Sequence, residues 1–458
     1  MKKNLNIEQL VADDTAHHFH PFTDHKTFHA QGGARIVTQA DGVWIWDGNG
    51  NRLLDAMSGL WCVNIGYGRD ELAEAAARQM HELPYYNTFF KSSTAPATEL
   101  SAKVASLLPD HLNTVFFVNS GSEANDTIVR LVRYYWQIKG QPGRTIFIGR
   151  QRAYHGSTMA AASLGGMEAM HDQGGLPLDG FEHVLQPDWF GQGGDMERDE
   201  FGLFAAAEVE RKIKQVGPEK VAAFIGEPVQ GAGGVLIPPD TYWPEVERIC
   251  KKYGIPVIAD EVICGFGRTG KWFGFETMGF TPDIVPMAKG LSSGYLPIGA
   301  VAISDAIAAD LYELGGEFYH GFTYSGHPAS CAVALENIAI LENEKLVERV
   351  AELAPYLNEK MSELASHPLA GEVRTCGFLG AIELVRDKKT RQLFDEPGRV
   401  GGICRDHCMD TGLVMRACWD TMVFAPPFVI SKAEIDEMAE RARIALDKTL
   451  DDVRGEMA

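Results

Sequence analysis

Between about residue 75 and residue 330 the chain sets out seven short apolar runs, each separated from the next by a helical or glycine-rich stretch. The runs are Thr114 to Val118, Thr145 to Ile148, His183 to Leu185, Val221 to Ile225, Pro256 to Asp260, Ile284 to Met287 and Ile298 to Ile303. Unbroken runs of this length suit strands covered on both faces, and their alternation with helices suits a mainly parallel sheet. An α/β fold follows, with a seven-stranded, mainly parallel sheet in a large domain over residues 75–331. Upstream, Gly42 to Gly50 carries the hairpin signal Asp47-Gly48-Asn49-Gly50. Downstream, the pattern turns helical over Ala332 to Glu344 and Leu346 to Ala365. Strand-like Leu379 to Val385 and a helix over Lys432 to Thr449 follow. Residues 1–74 and 332–458 are predicted to combine into one smaller α+β domain, the first of them also lying over the functional site. A chain of 458 residues with 45 % apolar side chains can fill the cores of two or three domains.

A formal net charge of −20 with no offsetting basic tract speaks against nucleic acid or an anionic membrane as the main partner. Eight cysteines without a C-x-x-C pair suit reduced thiols in a cytoplasmic protein better than a disulfide framework. Cys404-Arg405-Asp406-His407-Cys408 has a faint metal-site look, but its helical spacing favours core thiols. The start, Met1 to Glu8, has no continuous apolar core and does not read as a signal peptide. No run of about 18 apolar residues is present, so no membrane span is expected.

Lys289 ends the apolar run Ile284 to Met287, with Gly290 and Gly294 beside it. Burial disfavours a cation there, and a neutral amine can form a Schiff base with an aldehyde. Asp260 closes another apolar strand. A lysine and an aspartate at the ends of two buried strands suit pyridoxal phosphate: the lysine holds the aldehyde and the carboxylate keeps the ring nitrogen protonated. The competing reading of Lys289 alone is a surface lysine laid along apolar residues.

Further motifs support the first reading. Asn119-Ser120-Gly121-Ser122 follows a strand and opens a helix, an arrangement that suits a phosphate; an ordinary serine cap is the alternative. Tyr154-His155-Gly156 places an aromatic ring after a strand, where it can stack on a flat cofactor or simply fill the core. Val262, two residues beyond Asp260, can cover the other ring face. Glu227, between a strand and a glycine-rich turn, suits the orientation of a loop or polar neighbour at the cofactor site. Gly265-Phe266-Gly267-Arg268-Thr269-Gly270 matches the dinucleotide fingerprint, with Asp283 as ribose partner, but the following Lys271-Trp272-Phe273-Gly274 makes a poor helix. The histidines between His17 and His25 fit no closed zinc site, and a loop packed over the site entrance is expected instead, with no metal.

These residues, together with His320 to Pro328 and its Thr323, resemble the class III pyridoxal phosphate-dependent aminotransferases of fold type I. The resemblance runs from about Phe22 to Pro427. Within the class the chain resembles the ω-transaminases of the amine–pyruvate and putrescine–pyruvate type, through His20 to Asp24, Gly59 to Gly66, Tyr86 to Phe90 and Met415-Arg416. It implies that Lys289 binds the cofactor covalently and shuttles a proton. It also implies that Asp260 pairs with the ring nitrogen, Val262 and Tyr154 sandwich the ring, and Gly121 with Ser122 holds the phosphate. Thr323 would reach the phosphate of the neighbouring subunit's cofactor, which makes the enzyme a homodimer with shared active sites; dimers of this kind could pair into tetramers.

One pocket must then accept an amine and afterwards a keto acid. Arg416 can pair with the carboxylate bidentately and swing away for apolar groups; a surface salt bridge is its plainer role. Phe22, Trp61, Phe89, Phe90 and Tyr154 are the predicted aromatic walls, attracting alkyl and aryl amines by burial and ammonium groups by cation–π contact. Amino transfer from putrescine or another ω-amine to pyruvate is expected. The rivals are a β-alanine– or taurine–pyruvate transaminase, the biotin-pathway diaminopelargonate enzyme, a nicotinamide dehydrogenase and a silent binding protein.

Overall fold

The computed structural model describes residues 5–457; the reading of Met1 to Asn4 as free of a signal sequence lies outside them. All seven predicted strands form one sheet. Its spatial order is Thr114–Val118, Gly299–Ile303, Ile284–Met287, Val257–Ala259, Val221–Gly226, Ile146–Arg150 and Phe181–Val184. The five from Phe181–Val184 to Ile284–Met287 pair in parallel. Gly299–Ile303 runs against both of its neighbours, so Thr114–Val118 points the same way as the other five. The connection over residues 288–298 explains the reversal: a parallel crossover needs about a dozen residues or more, usually with a helix. The chain instead turns back at once, and Lys289 sits in that turn.

Burial of Val221–Gly226 is complete along its length, as are Ile284–Met287 and Gly299–Ile303. The helix Gly121–Ile138 presses Ile128, Val132 and Trp136 onto one face of this sheet. The helices Arg198–Val216 and Tyr242–Tyr253 bring Phe201, Trp243 and Val246 to the other. Trp243 stacks on Phe280 with ring centroids 4.0 Å apart.

The chain ends meet in a second sheet. Trp44–Asp47 and Arg52–Asp55 form the predicted hairpin, whose turn is held by Asp47 Oδ1 accepting from the Asn49 and Asn51 amides. Leu413–Val414, from far along the chain, adds to it in parallel beside Arg52–Asp55. A third sheet, Ala370–Cys376, Leu379–Leu384, Thr421–Phe424 and Arg416–Cys418, carries Arg416 on its edge. Among the described residues, no helix is long and apolar enough to cross a membrane.

The segment Gly265 to Gly270 opens no helix; Gly267 and Gly270 take φ of 104° and 85° in a run of turns. Arg268 within it is fully buried, donating to the Pro426 carbonyl at 2.6 Å and to Asn64 Oδ1. Asp283, the proposed ribose partner, accepts from the Val257 amide at 2.8 Å. This stretch is a packed latch between sequence-distant segments.

Candidate active site

Four strands end on polar residues that converge on one point. Thr114–Val118 leads into Asn119 to Ser122, Val221–Gly226 into Glu227, Val257–Ala259 into Asp260, and Ile284–Met287 into Lys289. With Tyr154, His155, Gly156 and Val262 they line a cavity of about 390 Å³. Open α/β sheets gather ligands outside the carboxyl ends of their strands, where loops diverge and leave a crevice.

Lys289 takes φ of 44°, a left-handed conformation that costs a side-chain-bearing residue about 1–3 kcal/mol and persists only where the surroundings enforce it. Burial pulls its pKa below the ordinary lysine value, with the Asp260 charge opposing. Its Nζ lies 5.9 Å from the centre of the Trp61 ring, and Arg416 Cζ lies 5.0 Å from the same ring. Trp61 is buried beside both cations, and neither it nor Arg416 is among the residues lining the cavity.

Asp260 is 2 % exposed and accepts three hydrogen bonds. Its Oδ2 lies 2.7 Å from His155 Nδ1 and 2.9 Å from Asn125 Nδ2, and its Oδ1 accepts from the Val262 amide at 3.1 Å. A carboxylate only accepts, so His155 carries its hydrogen on Nδ1. Asn125 also donates to the His155 carbonyl at 2.7 Å, tying the three groups together. Sequence reading missed Asn125, although it stands four residues after Gly121 and so shares its helix face.

Glu227 ties two loops: Oε1 accepts from the Tyr154 amide at 3.2 Å and Oε2 from the Gly231 amide at 2.8 Å. Burial raises its pKa. The neighbouring Glu261 accepts from the Gly274 and Phe275 amides at 2.8 and 2.7 Å, and burial pushes its pKa up to about 8. Between the ordinary glutamate value and about 8 the folded chain therefore binds a proton that the unfolded chain lacks. Stability from this group falls as pH rises through that window. Urea-unfolding midpoints measured between about pH 5 and 8 should decline in the wild type, and Glu261→Gln should flatten that part of the decline.

The cavity fits a phosphorylated pyridine aldehyde. Gly156 has φ of 141°, and a Cβ there would stand 2.6 Å from Ser122 Oγ; a Cβ on Gly121 would stand 3.0 Å from Val262. Glycine at these positions lets Val262 approach the Gly121–Ile138 helix start and lets the Tyr154 loop pack directly on Ser122, drawing the cavity's edges together. Ser122 Oγ accepts from the Ser157 amide at 3.1 Å, holding the two loops together. Ser120 also lines the cavity, but its hydroxyl caps the helix, accepting from the Glu123 amide at 3.2 Å. The capping alternative therefore holds for its side chain.

Other predicted residues sit farther out. Phe22 is 72 % exposed and is not among the lining residues; its ring stands 6.3 Å from that of Tyr154, which is. Phe89, the 91 % exposed Phe90 and the exposed Thr323 do not line the cavity of a single chain. Residues not anticipated in the lining include Leu60, Ser292, Leu296, Pro297 and Ile298. His18 and His20 converge on Asp14, at 3.0 and 2.8 Å. Asp14, absent from the sequence reading, explains their grouping. Cys404 and Cys408 are buried in the helix Arg399–Asp410, whereas His407 turns to Asp452 at 2.7 Å.

Comparison with known proteins accords with this geometry. A family model described as aminotransferase class-III matches residues 28–446. The chain is 58 % identical over 447 residues to the putrescine–pyruvate aminotransferase of Pseudomonas aeruginosa, covering 97 % of each. It is 39 % identical over 454 residues to a diaminobutyrate–2-oxoglutarate transaminase of Halomonas elongata, again covering 97 % of each. Among solved structures, an (S)-enantioselective ω-transaminase from Thermomicrobium roseum superposes with TM-score 0.94 at 44 % identity, over 97 % of this chain and 99 % of that one. An ω-transaminase from Pseudomonas jessenii, solved with PMP, gives 0.94 at 41 % identity over the same shares. The chain belongs to the class III aminotransferases, enzymes that work with pyridoxal phosphate.

Proposed function

We propose that this enzyme transfers the amino group of a primary amine, with putrescine (1,4-diaminobutane) the leading donor, to pyruvate, giving alanine and an aldehyde or ketone. The observation that carries the donor and acceptor is the 58 % identity, across 97 % of both chains, with a putrescine–pyruvate aminotransferase. Turnover of 1,4-diaminobutane, β-alanine, taurine and 1-phenylethylamine, each with pyruvate or 2-oxoglutarate, tests it. Fastest turnover with the diamine and pyruvate supports the assignment; preference for β-alanine or taurine, or for 2-oxoglutarate, overturns it.

Bound pyridoxal phosphate supplies a carbonyl carbon for the amino group and a ring that withdraws electrons from it. In this reading the chain does the rest. Lys289, with its lowered pKa, would hold the aldehyde through Nζ; once displaced, its amine would take the proton from the donor's amine-bearing carbon and deliver it to the carbon that had been the aldehyde, the reverse transfer serving the keto acid. Asp260, fixed by His155 and Asn125, would hold its carboxylate toward the ring nitrogen. The amides at the Gly121–Ile138 helix start, with Ser122, would bind the phosphate. Tyr154 and Val262 would cover the ring, and Glu227 fixes the loop bearing Tyr154.

Arg416 binds the keto acid carboxylate, beside Trp61. Arg416→Ala should raise the KM for pyruvate by roughly tenfold or more, since a charge-assisted bidentate pair is lost. The KM for 1,4-diaminobutane, which has no carboxylate, should change little. Equal changes in both would remove Arg416 from this role.

We read the enzyme as a homodimer with shared sites. Support comes from Thr323, exposed on one chain, and from the exposed rings of Phe90, Tyr319 and Tyr324 near it in sequence or space. Phe89 packs against Gly321, and the Tyr85 hydroxyl donates to the Thr323 carbonyl at 2.7 Å, joining both segments into one surface. Residues 1–74 and 332–458 are taken as one domain against 75–331, supported by the strand pairing of Leu413–Val414 with Arg52–Asp55. A cytoplasmic location accords with eight cysteines as free thiols.

A further inference from the structure

Apart from the catalytic cavity, one set of metal-ligating side chains gathers in the N-terminal segment. Asp14, His18 and His20 bring three ligand atoms within 4.8 Å of one another. The histidines alone complete no zinc site at their spacing, but the carboxylate between two of them changes the set. The helix Ile7–His17 places it there. Asp14 and His18 stand four residues apart and so share one face at the helix end, where the His18 amide donates to the Asp14 carbonyl at 2.9 Å. The chain then bends back and brings His20 to the same carboxylate.

The carboxylate is approached from two sides. His18 Nδ1 lies 3.0 Å from Asp14 Oδ1 and His20 Nε2 lies 2.8 Å from Asp14 Oδ2, with the two ring centroids 4.2 Å apart. Two imidazole nitrogens bonded to one metal at about 2.0–2.1 Å stand no more than about 4.2 Å apart, so the three ligands need only a small closing rotation. His18 can supply it: its side chain is 60 % exposed, against 14 % for Asp14 and 20 % for His20. His20 is held from behind, its amide donating to His25 Nε2 at 3.0 Å and its ring standing 4.8 Å from that of Phe28. Coordination moves one hydrogen within each ring, to His18 Nε2 and His20 Nδ1, and frees the two nitrogens that face the carboxylate. Two imidazoles with one carboxylate suit a divalent transition-metal ion, whereas magnesium and calcium take oxygen ligands. Three protein ligands leave the remaining position to water on the open His18 side.

We infer that Asp14, His18 and His20 form a binding site for a divalent transition-metal ion such as zinc. The ion fastens the helix Ile7–His17 to the turn that follows it and, through His20, to the helix His25–Ala30. Phe22 lies in the connection between them, with its ring 6.3 Å from that of Tyr154. The ion therefore orders a segment beside the catalytic cavity and takes no part in the chemistry. The site does not depend on the assignment of the amine donor.

Calorimetric titration of chelator-treated holoenzyme with Zn²⁺, in a buffer that does not bind the ion, tests this. The wild type should take up one ion per chain with a Kd below about 100 µM. Loss of a group that merely orients a metal ligand already costs about 10–100-fold in affinity, so His18→Ala and Asp14→Asn should each weaken this event at least about tenfold. His18→Ala removes an exposed side chain and should leave the far-UV circular dichroism unchanged, which separates loss of the ion from loss of the fold. Equal affinity and stoichiometry in the wild type and His18→Ala would place the ion on other groups, the cysteine thiols among them. No saturable uptake by the wild type up to about 100 µM would leave only the two hydrogen bonds to Asp14. Either result overturns the inference. Binding is read without turnover, so its failure is distinguishable from failure of the donor assignment.

Discussion

Lys289→Ala is expected to lower turnover by about ten-thousandfold and to abolish covalent attachment of the cofactor, with the fold retained. The magnitude is that of a positioned general base at its upper range, with loss of the covalent link adding to it. The structure supplies the reason for confining the effect to chemistry. Among the described residues the Lys289 amine makes no hydrogen bond that holds other segments in place; its neighbour Gly290 does, through its carbonyl accepting from Asn337 Nδ2 at 2.9 Å. Removing a left-handed lysine side chain also leaves the backbone strain as it was, since alanine meets the same steric limit. Stopped-flow and steady-state rates on the purified variant, with circular dichroism as the fold control, check both halves. Wild-type turnover in a folded Lys289→Ala enzyme would end the mechanism described above.

Asp260→Asn is expected to cost about a thousandfold in kcat, within the range for removing one preorganised electrostatic group from a water-excluded site. No orientation of the new amide satisfies its neighbours. With its NH2 in the Oδ2 position it faces Asn125 Nδ2, a second donor that cannot change role; turned over, it faces the Val262 amide. His155 alone can adapt, by moving its hydrogen to Nε2. The loss should therefore appear as a lower kcat together with a shifted absorption band of the bound cofactor, because the ring nitrogen no longer meets a full negative charge. His155→Phe should move the same band less, since Asn125 and the Val262 amide still hold the carboxylate. An Asp260→Asn enzyme with an unchanged spectrum and kcat would remove Asp260 from the ring.

Much of this site could be read from sequence because of how parallel sheets are built. Buried strands are apolar to their last residue, so the first polar groups after Val118, Gly226, Ala259 and Met287 stand out in the chain. Those groups are Asn119 to Ser122, Glu227, Asp260 and Lys289, and the sheet brings them to one edge. What stayed hidden depends on backbone conformation and on distant packing. Phe22, Trp61, Phe90 and Lys289 all take left-handed φ between 44° and 58°, and no residue preference signals that in aromatic or lysine side chains. Trp61 meets both Lys289 and Arg416, residues 228 and 355 positions farther along the chain, through tertiary packing that local sequence does not signal. Leu296 to Ile298 enter the cavity wall because the sheet reverses at Gly299–Ile303, which a count of apolar runs does not show.

Reduction of the resting, cofactor-saturated enzyme with borohydride, followed by proteolysis and mass spectrometry, addresses the covalent link most directly. A single pyridoxyl modification on the peptide bearing Lys289 is the expected result. Modification at any other lysine, or none in enzyme that still turns over, would contradict it.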